Sequence, residues 1–304
     1  MTSMTIRDLD PERDADAAVT LMREAFPTAV VNRASWLHRE RTLPARSLQR
    51  GFVAEVDGRV VGRSFSRLEN MFTAEKVDLG WLMTTVAGVH RGRGIGSSLY
   101  DVALDHVASL GVARVLTSVH ESAEGARFAQ ARGFREERSQ QEAVLDPRTV
   151  TERPAPDVDL QRVADVDPRL VHAADEEATR DVPATETIEA IPYDEWEQHV
   201  LQHPLFTAEG SFVAMVDGVA AALSFLVRDP ETGRAANMFT GTMRAYRGRG
   251  LALAVKLASI HWAAAHGVTS MATANDLENA PMLAINRRLG YTPAGRSYDY
   301  VKVL

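Results

Sequence analysis

Residues 85–110 of the 304-residue chain read TVAGVHRGRGIGSSLYDVALDHVASL, and the fold prediction rests on this stretch. A glycine-rich loop, RGRGIG at 91–96, separates an apolar segment from residues with helical periodicity, among them Ile95, Leu99 and Val102. Apolar residues spaced three and four apart lie on one face of a helix. The stretch therefore predicts a strand, a glycine-rich loop and an amphipathic helix in direct succession.

The same loop occurs a second time, as RGRGLA at 247–252, which is 156 residues later. Each copy is followed at the same distance by a Gly-Val pair, at Gly111 and Gly267. A glycine followed by an aromatic residue then closes a further helical stretch, at 133–134 and at 290–291. Repetition at this spacing predicts two similar halves.

Upstream of each loop, an Asp-Gly pair separates two apolar runs, in FVAEVDGRVVGRSFS (52–66) and in FVAMVDGVAAALSFL (212–226). Asp-Gly between apolar runs predicts a tight β-hairpin. Between the halves, DPRTVTERPAPDVD (146–159) combines prolines with charges and predicts an extended connector. We therefore expect an α/β (α+β) protein with domains at 1–150 and 151–304.

Composition excludes several classes of protein. With 45% hydrophobic and 25% charged residues, the chain is typical of a folded globular protein. It contains no cysteine, which excludes disulfides, thiolate metal sites and cysteine nucleophiles. A formal net charge of −7 disfavours nucleic acid as the main partner. The sequence shows no transmembrane run and no signal peptide, so we expect a cytoplasmic protein without a membrane partner.

The two loops have the chemistry of anion sites. A helix N-terminus that follows a glycine-rich loop presents backbone N–H groups and the positive end of the helix dipole. Glycines at 92, 94, 248 and 250 let an anion approach the backbone, and Arg91 and Arg247 can add charge-assisted hydrogen bonds. Neither loop has the Walker or the dinucleotide-binding pattern. A surface turn with solvated arginines is the alternative, and the duplication favours a phosphate or pyrophosphate ligand.

The pattern Arg-x-x-Gly-x-Gly/Ala between a strand and a long helix resembles the acyl-CoA pyrophosphate loop of the GNAT superfamily of N-acetyltransferases. Because both halves carry it, the chain resembles a tandem GNAT protein. The resemblance implies two GNAT-like domains, each a mixed, mostly antiparallel sheet flanked by helices, and acetyl-CoA as co-substrate. By position, it implies cofactor contacts from Val86, Arg91, Gly92, Arg93, Gly94, Gly96, Ser97, Thr242, Arg247, Gly248, Arg249, Gly250, Ala252 and Asn279.

The resemblance favours the second half as the catalytic one. Its segment with Asn275, Asn279 and Pro281 is similar to the family segment before the last helix, whereas the first half has Ser118 and Ser122 at the asparagine positions. The alternative for the asparagines is capping of the helix.

The identity of the acid and the base stays open. The family often places a tyrosine four residues before the Gly-aromatic pair, where this chain has Asn286 and Ala129, so Asn286 is the residue at the catalytic position. Other candidates for the acid are Tyr298, Tyr300 and the terminal carboxylate of Leu304. Candidates for binding or deprotonating the amine, all near predicted strand ends, are His120, Asp78, Glu121, Asp276 and Glu278.

The resemblance implies an N-acetyltransferase that acts on a primary amine of a small molecule or peptide. The alternative is a catalytically silent acyl-CoA-binding or scaffold protein, because neither half has the usual tyrosine. No metal site is predicted. The oligomeric state is open, and the repeat allows the halves to pack as an intrachain pseudo-dimer.

Overall fold

The computed structural model describes residues 4–70, 78–155, 157–183 and 191–304. The α-helices in these residues are α1 (Pro11–Ala25), α2 (Arg33–Thr42), α3 (Ile95–Ser109), α4 (Ala123–Gln130), α5 (Pro168–Thr179), α6 (Tyr193–Trp196), α7 (Leu251–Ala265) and α8 (Ala280–Arg288). The strands are β1 (Met4–Asp8), β2 (Arg50–Val56), β3 (Arg59–Leu68), β4 (Leu79–Val86), β5 (Arg114–His120), β6 (Arg135–Leu145), β7 (Asp159–Arg162), β8 (Phe212–Val216), β9 (Val219–Asp229), β10 (Arg234–Thr242), β11 (Ser270–Asp276) and β12 (Thr292–Val303). None of these helices is long and apolar enough to cross a membrane.

The chain forms two compact units that exchange their last strands. Unit 1 contains Met1–Ser139 and Arg296–Leu304, and unit 2 contains Gln140–Gly295. The chain therefore passes from unit 1 to unit 2 within β6 and returns to unit 1 within β12. The expected domains at 1–150 and 151–304 stay a prediction, because units 1 and 2 are defined by contacts and not by which segments fold on their own.

In unit 1 the strand order is β1-β2-β3-β4-β5-β12. Only β4 and β5 are parallel among these neighbours, and the other pairs are antiparallel. A parallel pair needs a crossover connection, and α3 lies in the chain between β4 and β5. The predicted mixed, mostly antiparallel sheet with flanking helices is confirmed.

Unit 2 repeats this arrangement with the strand order β7-β8-β9-β10-β11-β6. Here β10 and β11 are the parallel pair, and α7 lies in the chain between them. Residues 140–145 of β6 pair with β11. In the same way, residues 297–303 of β12 pair with β5 in unit 1. The sequence repeat thus predicts a structural repeat that the structure confirms.

Both predicted hairpins are confirmed. Asp57 and Gly58 have positive φ angles of 51° and 73°, and Asp217 and Gly218 have 50° and 80°. Two successive residues with positive φ define the turn that matches the twist of the flanking strands. The turns connect β2 to β3 and β8 to β9.

The segment after β6 is more than an extended connector. Pro147–Thr149 form a short 3-10 helix, and Val150 packs against the core of unit 2. The Glu152 carboxylate holds Arg288, and the Glu152 carbonyl oxygen lies 2.6 Å from Nε2 of His261. The local composition does not show these contacts, because their partners lie more than 100 residues away in the chain.

Candidate functional site

Strands β4 and β5 diverge in unit 1 and leave a cavity between their carboxyl ends. The two strands pair at three positions, the last joining Trp81 to Leu116. Beyond that point, residues 82–86 and 117–120 line a cavity of about 810 Å³. Its walls also include Tyr100 of α3 and, from α4 and the segment after it, Phe128, Ala129, Arg132 and Phe134.

The first glycine-rich loop forms one edge of this cavity. Gly92 and Gly94 have φ angles of 72° and 83°, which is the left-handed region that glycine adopts without strain. Gly94 caps α3, and no side chain caps the amides of the first turn. A Cβ added to Gly92 or Gly94 would extend into open space. The helix N-terminus is therefore accessible to an anion, as the sequence predicts.

Arg91 ties this loop to the end of β4. Its Nε donates to the carbonyl oxygen of Val86 at 3.0 Å, and its other nitrogens lie 3.9 Å from Glu24 and 3.6 Å from Glu124. Arg93 is exposed beside it. Arg91 thus positions the loop in addition to carrying charge, and the expected backbone contact at Val86 lies beside this hydrogen bond.

Arg132 is a cation at the loop that the sequence analysis missed. Its Nη2 donates to Ser97 Oγ at 2.7 Å, and its guanidinium lies over the rings of Phe128 at 3.5 Å and Tyr100 at 5.0 Å. Ser97 and Gly96 belong to the first turn of α3. No pattern in the sequence marks Arg132, because it reaches the loop across the fold.

The second loop has the same backbone but different neighbours. Gly248 and Gly250 have φ angles of 77° and 76°, and Arg247 Nε donates to the carbonyl oxygen of Thr242 at 3.1 Å. The Asp181 carboxylate accepts hydrogen bonds from Arg244 and Arg247, and these bonds hold the pKa of Asp181 well below its usual range. Part of the positive charge at this loop is therefore neutralised within unit 2.

Two other residues predicted to contact the cofactor, Arg249 and Ala252, lie just before α7 and in its first turn. The Arg249 guanidinium lies 5.2 Å from the ring centre of Tyr246, and Ala252 is half-buried in the first turn of α7.

Large polar side chains occupy the interior next to β10 and β11. Lys256 is the sixth residue of α7, the place that Tyr100 has in α3, and its ammonium lies 5.2 Å from the ring centre of Tyr291. Lys256 is 1% exposed, and burial lowers its pKa to about 7. The Tyr291 hydroxyl donates to Asn237 Oδ1 at 3.0 Å.

Asn286 and Asn279 have local partners in unit 2. Asn286 is buried, and its Nδ2 donates to Asn275 Oδ1 at 2.6 Å. Asn279 caps α8, because its Oδ1 accepts from the Met282 amide at 3.3 Å. Ser122 caps α4 in the same way. The catalytic role of Asn286 and the cofactor contact of Asn279 stay predictions.

The candidates for the base differ in position. His120 and Glu121, at the end of β5, line the cavity of unit 1. Asp78 lies at the opposite end of β5, where its carboxylate accepts from Arg114 at 2.8 Å. In unit 2, Asp276 accepts from the backbone amide of Glu278 at 2.7 Å. His120 and Glu121 thus lie in the cavity that the first glycine-rich loop borders.

The candidate acids from the C-terminal strand belong to unit 1 and not to the second half. Tyr300 is buried in the core of unit 1, and burial raises its pKa. Tyr298 packs against the same core. The Leu304 amide donates to Ala113, at the end of β5 remote from His120. The terminal carboxylate is therefore at the wrong end of the strand for this cavity.

Within the described parts of the chain, no group of three or more His, Asp or Glu side chains is arranged to hold a metal ion.

The model of the acetyltransferase (GNAT) family matches the chain twice, over residues 15–134 and 171–291. No curated protein sequence matches the chain.

Two solved structures show the same fold over nearly the whole chain. A GCN5-related N-acetyltransferase from Sphaerobacter thermophilus is 18% identical, with a TM-score of 0.71 over 99% of this chain and 95% of that one. A tandem GNAT protein from the clavulanic acid biosynthesis pathway is 19% identical, with a TM-score of 0.73 over 99% of this chain and 98% of that one. At these identities the likeness establishes a shared fold.

Proposed function

The chain belongs to the acetyltransferase (GNAT) family, and on that premise we propose that it transfers the acetyl group of acetyl-CoA to a primary amine of a small molecule or peptide. We place the donor in the cavity of unit 1. The observation that carries this proposal is that the cavity joins the open N-terminus of α3 to the diverging ends of β4 and β5.

The residues present fit acetyl-CoA. The pyrophosphate would bind at the amides that follow Gly94, where Arg132 adds a cation next to Ser97. The pantetheine arm would follow the exposed edge of β4 near Val86, beside apolar walls that include Phe128. The acetyl thioester is the electrophile that this substrate supplies.

His120 is our candidate for the general base. The attacking amine must lose a proton as its nitrogen forms a bond to the acetyl carbon, and the carbon–sulfur bond breaks to release CoA. His120 lines the cavity at the end of β5, so its ring can accept that proton directly or through water. A thiolate is a good leaving group near neutral pH, since the pKa of an ordinary thiol is about 8.5. Transfer therefore does not require a tyrosine at position 129.

The sequence pattern favours the second half as catalytic, whereas the cavity favours the first half as the donor site. In unit 2, Asp181 pairs with the loop arginine Arg247, and Lys256 is buried where unit 1 has the cavity-lining Tyr100. The buried amine of Lys256 is a less apolar neighbour for the pantetheine arm than the ring of Tyr100. We therefore assign unit 2 a supporting role in this proposal.

A silent acyl-CoA-binding protein is the second candidate. Ala129, which lines the cavity at the position of the usual tyrosine, is the observation that favours it. This candidate predicts that the protein binds acetyl-CoA and acetylates no amine.

The test measures CoA release with acetyl-CoA and a broad panel of primary amines, and mass spectrometry identifies the acetylated product. We expect turnover, and a 10²- to 10⁴-fold lower kcat in His120→Gln with an unchanged Kd for acetyl-CoA. The control is His266→Gln, which changes an exposed histidine of unit 2. Binding without product for any amine would support the silent protein, and full activity of His120→Gln would remove the histidine from the mechanism.

A further inference from the structure

One face of strand β3 in unit 1 carries two arginines that point away from α3. A Cβ on Gly62 would lie 2.9 Å from Leu99 of α3, and Ser66 Oγ lies 2.8 Å from Nδ1 of His106, also in α3. Successive side chains of a strand alternate between the faces of the sheet. Arg63 and Arg67 therefore extend from the opposite face of β3.

These arginines alternate with aromatic rings. The Arg63 guanidinium lies 5.6 Å from the ring centre of Phe65, and the Arg67 guanidinium lies 4.7 Å from that of Trp81. The Phe65 and Trp81 rings meet edge to face at 5.8 Å. We call these four side chains, Arg63, Phe65, Trp81 and Arg67, the arginine ladder.

The arginine ladder contains buried donors without acceptors. Arg63 and Arg67 are each 3% exposed. Arg67 Nη2 donates to Glu69 at 3.0 Å, but Nη1 of Arg67, Nη1 of Arg63 and Nε1 of Trp81 are buried with no hydrogen-bond partner among the described residues. Unsatisfied buried donors are rare in folded proteins, and each calls for a partner such as an ordered water, an ion or a ligand.

Charges of both signs surround the arginine ladder. Arg39 and Glu40 of α2 and Glu69 act on Arg63 and Arg67, and Asp299 of β12 acts on Glu69 in turn. Glu40 also accepts a hydrogen bond from Gln49. Desolvation lowers the pKa of Arg63 to about 10, which leaves this group protonated at neutral pH.

The arginine ladder is next to the cavity. In the antiparallel pair of β3 and β4, Arg63 lies opposite Thr85 and Phe65 lies opposite Met83. Directly opposed residues of antiparallel strands share a face of the sheet. Thr85 and Met83 line the cavity, so Arg63 and Phe65 lie on the strand next to its wall, whereas Arg67 lies farther along β3, opposite Trp81.

We propose that the arginine ladder binds a carboxylate of the acceptor, so that the acceptor is an amine that also carries a free carboxylate group. A guanidinium group donates in a planar fork that matches a carboxylate, and such an anion supplies an acceptor for a free Nη1 group. The proposal rests on the proposed transfer reaction, and it extends that reaction by naming the class of acceptor.

The test compares pairs of acceptors that differ only in the carboxylate: ω-amino acids with two to six carbons, each against the corresponding amide. We expect kcat/KM to be at least about tenfold higher for the acid in the wild-type protein. Arg63→Gln and Arg67→Gln should lower kcat/KM for the acid about 10- to 100-fold, mainly by raising KM. The kcat/KM for the amide should stay within about twofold of the wild-type value. The Kd for acetyl-CoA should not change.

Arg59→Gln is the matched control, because Arg59 is an exposed residue of the same strand. Arg63→Lys keeps the charge without the fork, and it should recover part of the loss in Arg63→Gln if the protein binds a carboxylate there. Equal kcat/KM for acids and amides in the wild-type protein would overturn the proposal. So would equal losses for both in the arginine variants.

A binding measurement separates this proposal from the transfer reaction. Titration of the whole protein with the same amino acids, without acetyl-CoA, should change its tryptophan fluorescence, to which Trp81 contributes. Arg67→Gln should abolish the change, and Arg59→Gln should keep it. Failure of acetyl-CoA to bind would contradict the proposed function alone. Acetyl-CoA binding together with no response to any carboxylate would contradict the carboxylate site alone.

Discussion

The Nε of Arg91 donates a hydrogen bond of 3.0 Å to the carbonyl oxygen of Val86, and this bond fixes the glycine-rich loop to the end of β4. Arg247 makes the equivalent bond to Thr242, at 3.1 Å, in unit 2. In both units, the first arginine of the repeated motif therefore attaches the glycine-rich loop to the end of the preceding strand. In the proposed function, the charge of Arg91 also attracts the pyrophosphate.

Arg91→Met should weaken acetyl-CoA binding, because the loop loses its tether to β4 and a positive charge together. Hydrogen bonds of charged groups contribute about 1.5–3 kcal/mol, so we expect the Kd to rise at least about tenfold. Calorimetry measures the Kd. Arg247→Met is the matched control and should leave it unchanged; a larger loss in Arg247→Met than in Arg91→Met would place the donor in unit 2.

Gly80→Ala should destabilise the protein by overpacking unit 1. A Cβ at Gly80 would lie 2.3 Å from Cγ2 of Val107, closer than carbon atoms approach. We expect a loss of about 1–3 kcal/mol in the free energy of unfolding, measured with urea. Val107→Ala removes that methyl group, so the double variant should lose at least about 1 kcal/mol less than the sum of the single variants. Additive losses would show that these residues do not meet.

Lys256→Met should stabilise the protein at neutral pH. Burial lowers the pKa of Lys256 to about 7, whereas in the unfolded chain it is about 10.4. Between these values the unfolded chain binds a proton that the folded chain lacks, so the free energy of unfolding of the wild-type protein rises with pH across this window. The penalty at pH 7 is at most about 5 kcal/mol.

Urea unfolding at pH 7 and pH 10 measures this effect. The difference between Lys256→Met and the wild-type protein should be several kcal/mol at pH 7 and should shrink toward zero at pH 10. Arg287→Met, which changes an exposed cation of unit 2, should show no such trend. A difference that stays constant with pH would show that the amine is solvated in the folded protein.

Most of the fold can be predicted from the repeated parts of the sequence. The glycine-rich loops, the Asp-Gly turns and the helical periodicity are local signals, and they correctly predict α3, α7 and both hairpins. The exchange of the last strands has no local signal, because residues 292–303 read as a strand whichever sheet they join. For this reason the sequence order places Tyr298 and Tyr300 in the second half, although they belong to unit 1.

The candidate site was predictable where it depends on the loop and not where it depends on packing. Gly92 and Gly94 have the backbone conformation that the motif predicts. Arg132 reaches the cavity from the segment after α4, and the spacing of its neighbours in the sequence does not reveal this. The burial of Lys256 inside an apolar helix is likewise a property of the tertiary structure.

Acetyl-CoA, in the proposed function, binds at the loop of unit 1. Calorimetric titration of acetyl-CoA into the wild-type protein, Gly94→Val and Gly250→Val tests this placement. The two glycines are matched, since both have left-handed backbone, with φ of 83° and 76°, and a Cβ added to either would extend into open space. We predict one site per chain that Gly94→Val abolishes and Gly250→Val preserves. Binding that survives in Gly94→Val and disappears in Gly250→Val would contradict the claim and assign the donor to unit 2.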